Sequence, residues 1–216
     1  MARKTKAEAE KTRQCILKAA LRLFVEKGYD RTTFEDVARH IGLTKGAVYW
    51  LFKSKPDLLA ELVVLMTERH TTQLTHTIPH PASLDTPEAL TENFVLRARL
   101  IVSSPASRRF FLMTRRLDWA SPKLTPVRQR IRRLADTPHV VICSALKDMQ
   151  RTGAIRADAD LAAVSSVLMM IWLGLLEQEI SNGLGTDLEG ALRLGFQSVL
   201  NGEALSKPLV AWASRP

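Results

Sequence analysis

Residues 33–53 read TFEDVARHIGLTKGAVYWLFK, two short stretches of helical apolar spacing on either side of Gly42. Phe34, Val37, Ala38 and Ile41 share one face of the first stretch. The spacing leaves room for about two helical turns on each side. Gly42 can take a left-handed conformation that other residues avoid. Thr33 with Asp36 predicts a capping box at the start of the first helix, and Thr44 predicts the cap of the second. This is a helix-turn-helix pattern, in which the second helix enters the DNA major groove by its N-terminal end. On spacing alone, a plain helical hairpin with core aromatics and solvated lysines fits equally well.

The residue types at that end suit DNA. Thr44 offers a hydroxyl and nearby backbone N–H groups, and Lys45 a cation for a base edge or a phosphate. Gly46 and Ala47 leave room for close approach. Tyr49 offers a phenol at phosphate height and Lys53 a cation at the far end. Thr32, Thr33 and the arm residues Arg3, Lys4 and Lys6 would add salt-sensitive phosphate contacts. Charge supports this placement. The 216-residue chain has a net charge of +9, and residues 1–56 hold 13 Lys+Arg against six Asp+Glu. Such segregation favours a dedicated polyanion-binding module over a uniformly basic surface.

The remaining pattern is helical, with breakers at intervals. The spacing predicts nine helices, an all-α fold. The first runs from about Ala9 to Lys27, with an apolar stripe of Ile16, Leu17, Ala20, Leu21 and Phe24. Ser54 and Asp57 cap a long helix reaching about Thr75. Thr86-Pro87 and Ser104-Pro105 open two more, ending near Val102 and Trp119. A helix from about Pro126 to Arg151 should kink at Pro138. Asp158 or Asp160 caps one to about Asn182, and the last runs from about Asp187 to Asn201.

Residues 12–58 resemble the headpiece of the tetracycline-repressor (TetR) family. The matching stretches include Ile16-Leu17, Ala19-Ala20-Leu21, Leu23-Phe24, Gly28-Tyr29, Thr32-Thr33, Asp36-Val37-Ala38 and Ile41 through Tyr49. Phe52-Lys53 and Asp57-Leu58 continue them. The opening MARKTKAEAEKTRQ and Tyr49-Trp50 further resemble the AcrR-like multidrug-efflux repressors. The resemblance implies a nine-helix homodimer that binds a palindromic operator of double-stranded DNA and is released by a small ligand. It marks Thr33, Thr44, Lys45, Tyr49, Trp50 and Lys53 as DNA-facing. Leu51 stands where the family commonly has His. It also implies three functional regions: 1–54 for DNA, 55–205 for ligand and dimerisation, and 206–216 as a tail.

The body carries no motif of similar sharpness. Phe110, Phe111 and Met113 on one helix, and Met169, Trp172, Leu173 and Glu177 on another, would suit a small hydrophobic ligand, a cationic one included. Plain core packing is the competing reading for each. Leu161, Val164, Leu168, Leu175 and Ile180, with Leu188, Leu192, Phe196 and Leu200, can bury against a second copy or within one subunit. Residues 108–133 hold nine Lys+Arg and one acid, Asp118. A solvated surface, an anionic ligand and an auxiliary DNA contact all fit that cluster.

Cys15 and Cys143 read as core or near-core thiols. The five His have no metal-binding spacing, and no catalytic or nucleotide fingerprint appears, so neither metal, cofactor nor enzyme activity is expected. Charges without an apolar run at the N-terminus, and an apolar stretch from Leu161 to Leu176 that is short for a span, point to a cytoplasmic protein with no membrane partner. A regulator whose body only dimerises or binds a protein is the alternative.

Overall fold

The computed structural model describes residues 6–77, 83–134, 137–183 and 187–201. Among these, the chain forms ten α-helices, one short 3-10 turn and no strand. They are α1 (Lys6–Lys27), α2 (Phe34–His40), α3 (Lys45–Leu51), α4 (Lys55–Thr77), α5 (Pro87–Ser103), α6 (Pro105–Arg115), α7 (Thr125–Ile131), α8 (Pro138–Thr152), α9 (Leu161–Asn182) and α10 (Leu188–Leu200). The 3-10 turn, Pro122–Leu124, precedes α7.

Most boundaries follow local chemistry. The Thr86 hydroxyl accepts the Ala89 N–H at 3.2 Å to open α5. Asp160 accepts from Ala162 and Ala163 to open α9. Gly153 closes α8 at φ 80°, a left-handed cap that glycine adopts without steric cost. The expected helix from Pro126 to Arg151 is two helices. Pro138 does not kink it but stands at the first position of α8, behind an extended Thr137. A residue before proline is pushed toward extended backbone, and proline's missing N–H is harmless in a first turn.

The described residues divide into two compact units, one within Met1–Arg69 and Pro105–Leu134, the other within His70–Ser104 and Ala135–Pro216. The first holds the helix-turn-helix segment together with α6 and α7. Its core runs through Ile16, Leu17, Ala20, Phe24, Val37, Val48, Phe52, Leu58 and Leu62, and continues into Met113, Leu117, Leu124 and Val127. By sequence this unit carries 23 Lys+Arg and ten Asp+Glu, against eight and 12 in the other. The basic cluster of residues 108–133 thus belongs with the helix-turn-helix segment.

The second unit packs α5, α8, α9 and α10. Phe94 sits at its centre, with its ring centroid 5.4 Å from those of Trp172 and Phe196. Outside, Arg193 makes a paired contact to Glu92 at 2.6 and 3.0 Å, and Arg99 makes one to Glu189 at 2.7 and 2.8 Å, tying α5 to α10. Leu188, Leu192, Phe196 and Leu200 are buried within the chain, as are Val164 and Leu168, so these are not free for a second copy. Met170 (65% exposed) and Leu194 (70%) are the apolar side chains that α9 and α10 leave in solvent. By length and composition α9 could cross a bilayer, contrary to the sequence expectation, because the helix continues past Glu177. Its inward face, with Leu168, Trp172 and Leu176, is core.

Cys15 is exposed, not core. The apolar stripe of α1 begins at Ile16 and turns Cys15 outward.

Candidate nucleic-acid interface

The turn between α2 and α3 is built as its residue types dictate. The Thr33 hydroxyl accepts the Asp36 N–H at 3.1 Å, while Asp36 accepts the Thr33 N–H at 2.9 Å and its hydroxyl at 2.7 Å. Lys27 adds its ammonium to the same carboxylate at 2.9 Å. That hydrogen bond, together with those from Thr33, holds the Asp36 carboxyl well below the usual carboxylate range. Gly42 has φ 68°, and the Leu43 N–H reaches back to the Ala38 carbonyl at 2.9 Å. This sharp reversal brings α3 out at an angle set by one left-handed residue.

The second helix opens with the Thr44 hydroxyl accepting the Ala47 N–H at 3.2 Å. Val48 buries its side chain completely and anchors α3 to the core. The opposite face is open. Thr44, Lys45 and Gly46 are exposed and Ala47 is partly so. Tyr49 is 52% exposed and Trp50 72% exposed. The Tyr49 ring stands edge-on to Phe34 at 4.9 Å, with the Lys45 ammonium 5.9 Å from its centroid. Phe34 therefore fixes the ring while half of it stays free. Thr33 and Lys53 are exposed as well, and so is Lys6 at the start of α1. Lys4 lies outside the described residues.

Thr32 must be removed from this face. It is 1% exposed, and its hydroxyl donates to the carbonyls of Leu23 and Gly28. It locks the turn after α1 instead of reaching a phosphate. Leu51, where His was expected by resemblance, is partly buried against the core of this unit, so an apolar residue suits the position.

Sequence reasoning missed the residues that hold this surface in place. Arg13 of α1 pairs with Glu61 of α4 and places its guanidinium 5.2 Å from the Phe52 ring centroid. Lys55 donates to three carbonyls of the turn after α1, those of Tyr29, Asp30 and Thr32. Burial lowers its ammonium below the ordinary lysine range. Arg128 donates to the carbonyls of Trp119 and Ser121 and to the Thr125 hydroxyl, so it is a structural member of the basic cluster. Apart from the Arg128–Thr125 bond, such contacts span 7 to 48 residues and leave no short motif.

The residues expected around a ligand fall in both units. Phe110, Phe111 and Met113 lie on α6 in the first unit, and Met169, Trp172, Leu173 and Glu177 lie on α9 in the second. Met113 is 2% exposed and belongs to the core around α1, and Phe111 is also buried. Trp172 is buried, and its indole N–H donates to the Phe94 carbonyl at 3.1 Å. These three are core side chains, because their apolar surface already has partners. Met169, Leu173 and Glu177 are partly exposed. Among the described residues, no group of three or more potential metal ligands occurs.

Residues 16–62 match the family described as bacterial regulatory proteins, tetR family. The HTH-type transcriptional regulator AcrR of Shigella flexneri is 53% identical over 62 residues, which cover 29% of this chain and 29% of that one. The match to this relative therefore spans less than a third of its length. The HTH-type transcriptional repressor BepR of Brucella suis biovar 1 is 24% identical over 189 residues, 86% of this chain and 88% of that one. Among solved structures, the SmeT–triclosan complex superposes with a TM-score of 0.69 at 26% identity, covering 95% of this chain and 99% of that one. An open helix on an all-helical frame, matched to the tetR family over residues 16–62 and similar along most of the chain to BepR and SmeT, makes this protein one that resembles the AcrR-like transcriptional regulators of that family.

Proposed function

We propose that the protein is a ligand-responsive repressor. It binds a palindromic operator as a homodimer, is released by a small hydrophobic ligand, and controls a multidrug efflux or transporter operon. It acts as a binding protein and not an enzyme, in the cytoplasm where its operator lies. The observation that carries this reading is α3. Its inner side is anchored by Val48, while Lys45, Tyr49 and Trp50 stay exposed at the end that would enter the major groove. Thr33, Thr44, Gly46, Ala47 and Lys53 complete the proposed contact set, with Lys4 and Lys6 as an arm toward the backbone phosphates. AcrR and BepR are named as transcriptional regulators, and SmeT holds triclosan, which supports both halves of the proposal.

By role, residues 1–54 bind DNA and 55–205 bind the ligand and the second copy. Met170 and Leu194, left in solvent on α9 and α10, mark the proposed dimer face. Met169, Leu173 and Glu177 remain the candidate ligand contacts, Glu177 providing for a cationic group. Helix α4 runs from Lys55 to Thr77 through both units and is the proposed lever, with ligand and operator favouring different separations of the two heads.

Fluorescence anisotropy with the intergenic DNA beside the protein's own gene tests this. Lys45→Ala and Tyr49→Phe should each weaken binding by about 5- to 100-fold, the range of one specific contact. Triclosan or a hydrophobic cationic drug should release the wild type. Undiminished binding by both variants would remove α3 as the reading element. A panel without any releasing compound would leave a regulator that answers to something other than a small hydrophobic ligand.

A further inference from the structure

Within the first unit, a cleft of about 390 Å³ lies between the turn after α1 and the connection from α6 to α7. That volume is at the lower end of the range of small-molecule sites. Tyr29, Asp30, Arg31, Arg116, Asp118 and Lys123 are among the residues that line it. None of these belongs to the reading helix.

Both walls are fixed from behind. Lys55 ties the Tyr29 turn through three carbonyls at 2.8, 3.0 and 3.1 Å. Arg128 ties the opposite wall through Trp119, Ser121 and Thr125, and the Trp119 indole N–H donates to the Thr114 carbonyl at 2.9 Å. A cleft with walls held this way loses little conformational freedom when a ligand enters.

Three cations, Arg31, Arg116 and Lys123, share the cleft with two carboxylates, Asp30 and Asp118, and these charges are unequally engaged. Asp118 already accepts the Ala120 N–H at 3.1 Å, and Arg31 donates through Nε to the Lys27 carbonyl at 2.8 Å. Among the described residues, neither Arg116 nor Lys123 has an ion-pair partner. Tyr29 adds an independent observation. It is only 8% exposed, and its hydroxyl is a buried side-chain atom with no hydrogen-bond partner. A buried donor left unmade is costly and calls for an explanation. Burial pushes this phenol up to about 12, so at neutral pH it is a donor in need of an acceptor.

We propose that this cleft is a binding site for a small soluble oxyanion, a phosphate or carboxylate, held by Arg116 and Lys123, with the Tyr29 hydroxyl, buried behind the cleft surface, joining on a small outward shift of its side chain. The anion supplies the acceptor that the hydroxyl lacks and the countercharge that the two cations lack. It would bridge the turn that leads into α2 to the α6–α7 connection, stiffening the unit that carries the reading helix. The site is separate from the hydrophobic-ligand response proposed above and stands or falls without it.

The test is thermal unfolding of the full chain titrated with sodium phosphate, and in a second arm sodium acetate, at constant ionic strength set with sodium chloride. A saturable rise in Tm is expected in at least one arm. Arg116→Gln/Lys123→Gln should weaken the apparent affinity at least 10-fold, and Tyr29→Phe by about 3- to 10-fold. Arg132→Gln/Arg133→Gln, which removes equal charge from exposed positions outside the cleft, should leave it unchanged. If the first double variant fails to fold, Lys123→Gln alone serves, since its ammonium holds no described contact. No saturable rise, or equal loss in the two double variants, overturns the proposal. So does a cleft variant that keeps the anion response but lowers the salt slope of DNA binding, which would assign these cations to the DNA backbone.

Discussion

The ammonium of Lys55 donates to the carbonyl of Tyr29 at 2.8 Å and lies 4.5 Å from the centroid of the same residue's ring. Its other two donors go to the Asp30 and Thr32 carbonyls, so all three N–H bonds of the ammonium close one turn. That turn follows Gly28, left-handed at φ 86°, where the carbonyls ending α1 carry partial negative charge. Lys55→Met keeps the apolar stem and removes the donors. Charge-assisted bonds contribute about 1.5–3 kcal/mol. With the ammonium partly open to solvent, a loss of about 1 kcal/mol is expected. Urea unfolding checks it, and an unchanged midpoint would mean that water serves the three carbonyls equally well.

The capping box at α2 gives a prediction with a pH signature. Thr33→Ala removes the hydroxyl that accepts the Asp36 N–H and should cost about 1 kcal/mol. Asp36 is held ionised below its ordinary range by Lys27 and Thr33. Its contribution is therefore fully present above about pH 3.9 and is lost as pH falls below that value. Asp36→Asn should be less stable than wild type at pH 6, with the gap narrowing toward pH 2.5. A gap that stays constant across that range would show that the charge of Asp36 is not what matters.

What could be read from sequence was what local chemistry decides. Thr33 with Asp36, Thr44 with Ala47 and Asp160 with Ala162 and Ala163 satisfy donors within three residues, so the motif is the structure. Pro138 shows the limit. Kink and first-turn proline differ by the conformation of Thr137, and the preference of a pre-proline residue for extended backbone was the signal to follow. Phe110, Phe111 and Met113 were legible as apolar positions on one helix, but not what covers them: Met113, with Leu117, Leu124 and Val127, joins the core around α1. That they pack with α1, and so place a basic cluster beside the DNA-binding segment, depends on contacts about 90 residues apart. Thr32 fails for a related reason: a threonine hydroxyl beside an exposed turn looks alike from sequence whether it points in or out.

His70, on α4, is held below its ordinary pKa by burial and then by the nearby Arg97 charge. As pH falls below about 6.5, the unfolded chain takes up a proton that the folded chain resists. Stability contributed by the neutral ring is thus present above that pH and lost on acidification. Urea midpoints measured from about pH 7.5 to 5 should fall more steeply for wild type than for His70→Gln. Parallel curves would show that the ring is free to charge in the folded state.

Gly195 on α10 faces Ile171 on α9, and a Cβ added there would sit 2.8 Å from the Ile171 Cγ2. Two effects oppose each other in Gly195→Ala. Alanine is about 1 kcal/mol better than glycine inside a helix. Against it, overpacking costs about 1–3 kcal/mol, and relief is hard because Cγ2 is bonded to Cβ and a β-branched side chain on a helix has one strongly preferred χ1. The second effect should win, giving a net loss of about 1 kcal/mol. Gly195→Ala/Ile171→Ala removes the clash, so part of the loss should return relative to Ile171→Ala alone. Gly174→Ala, on α9 with open space around its added methyl, is the control and should be neutral or stabilising. If Gly195→Ala raises the urea midpoint as much as Gly174→Ala does, Ile171 yields to the added methyl and helix propensity alone decides the outcome at this contact.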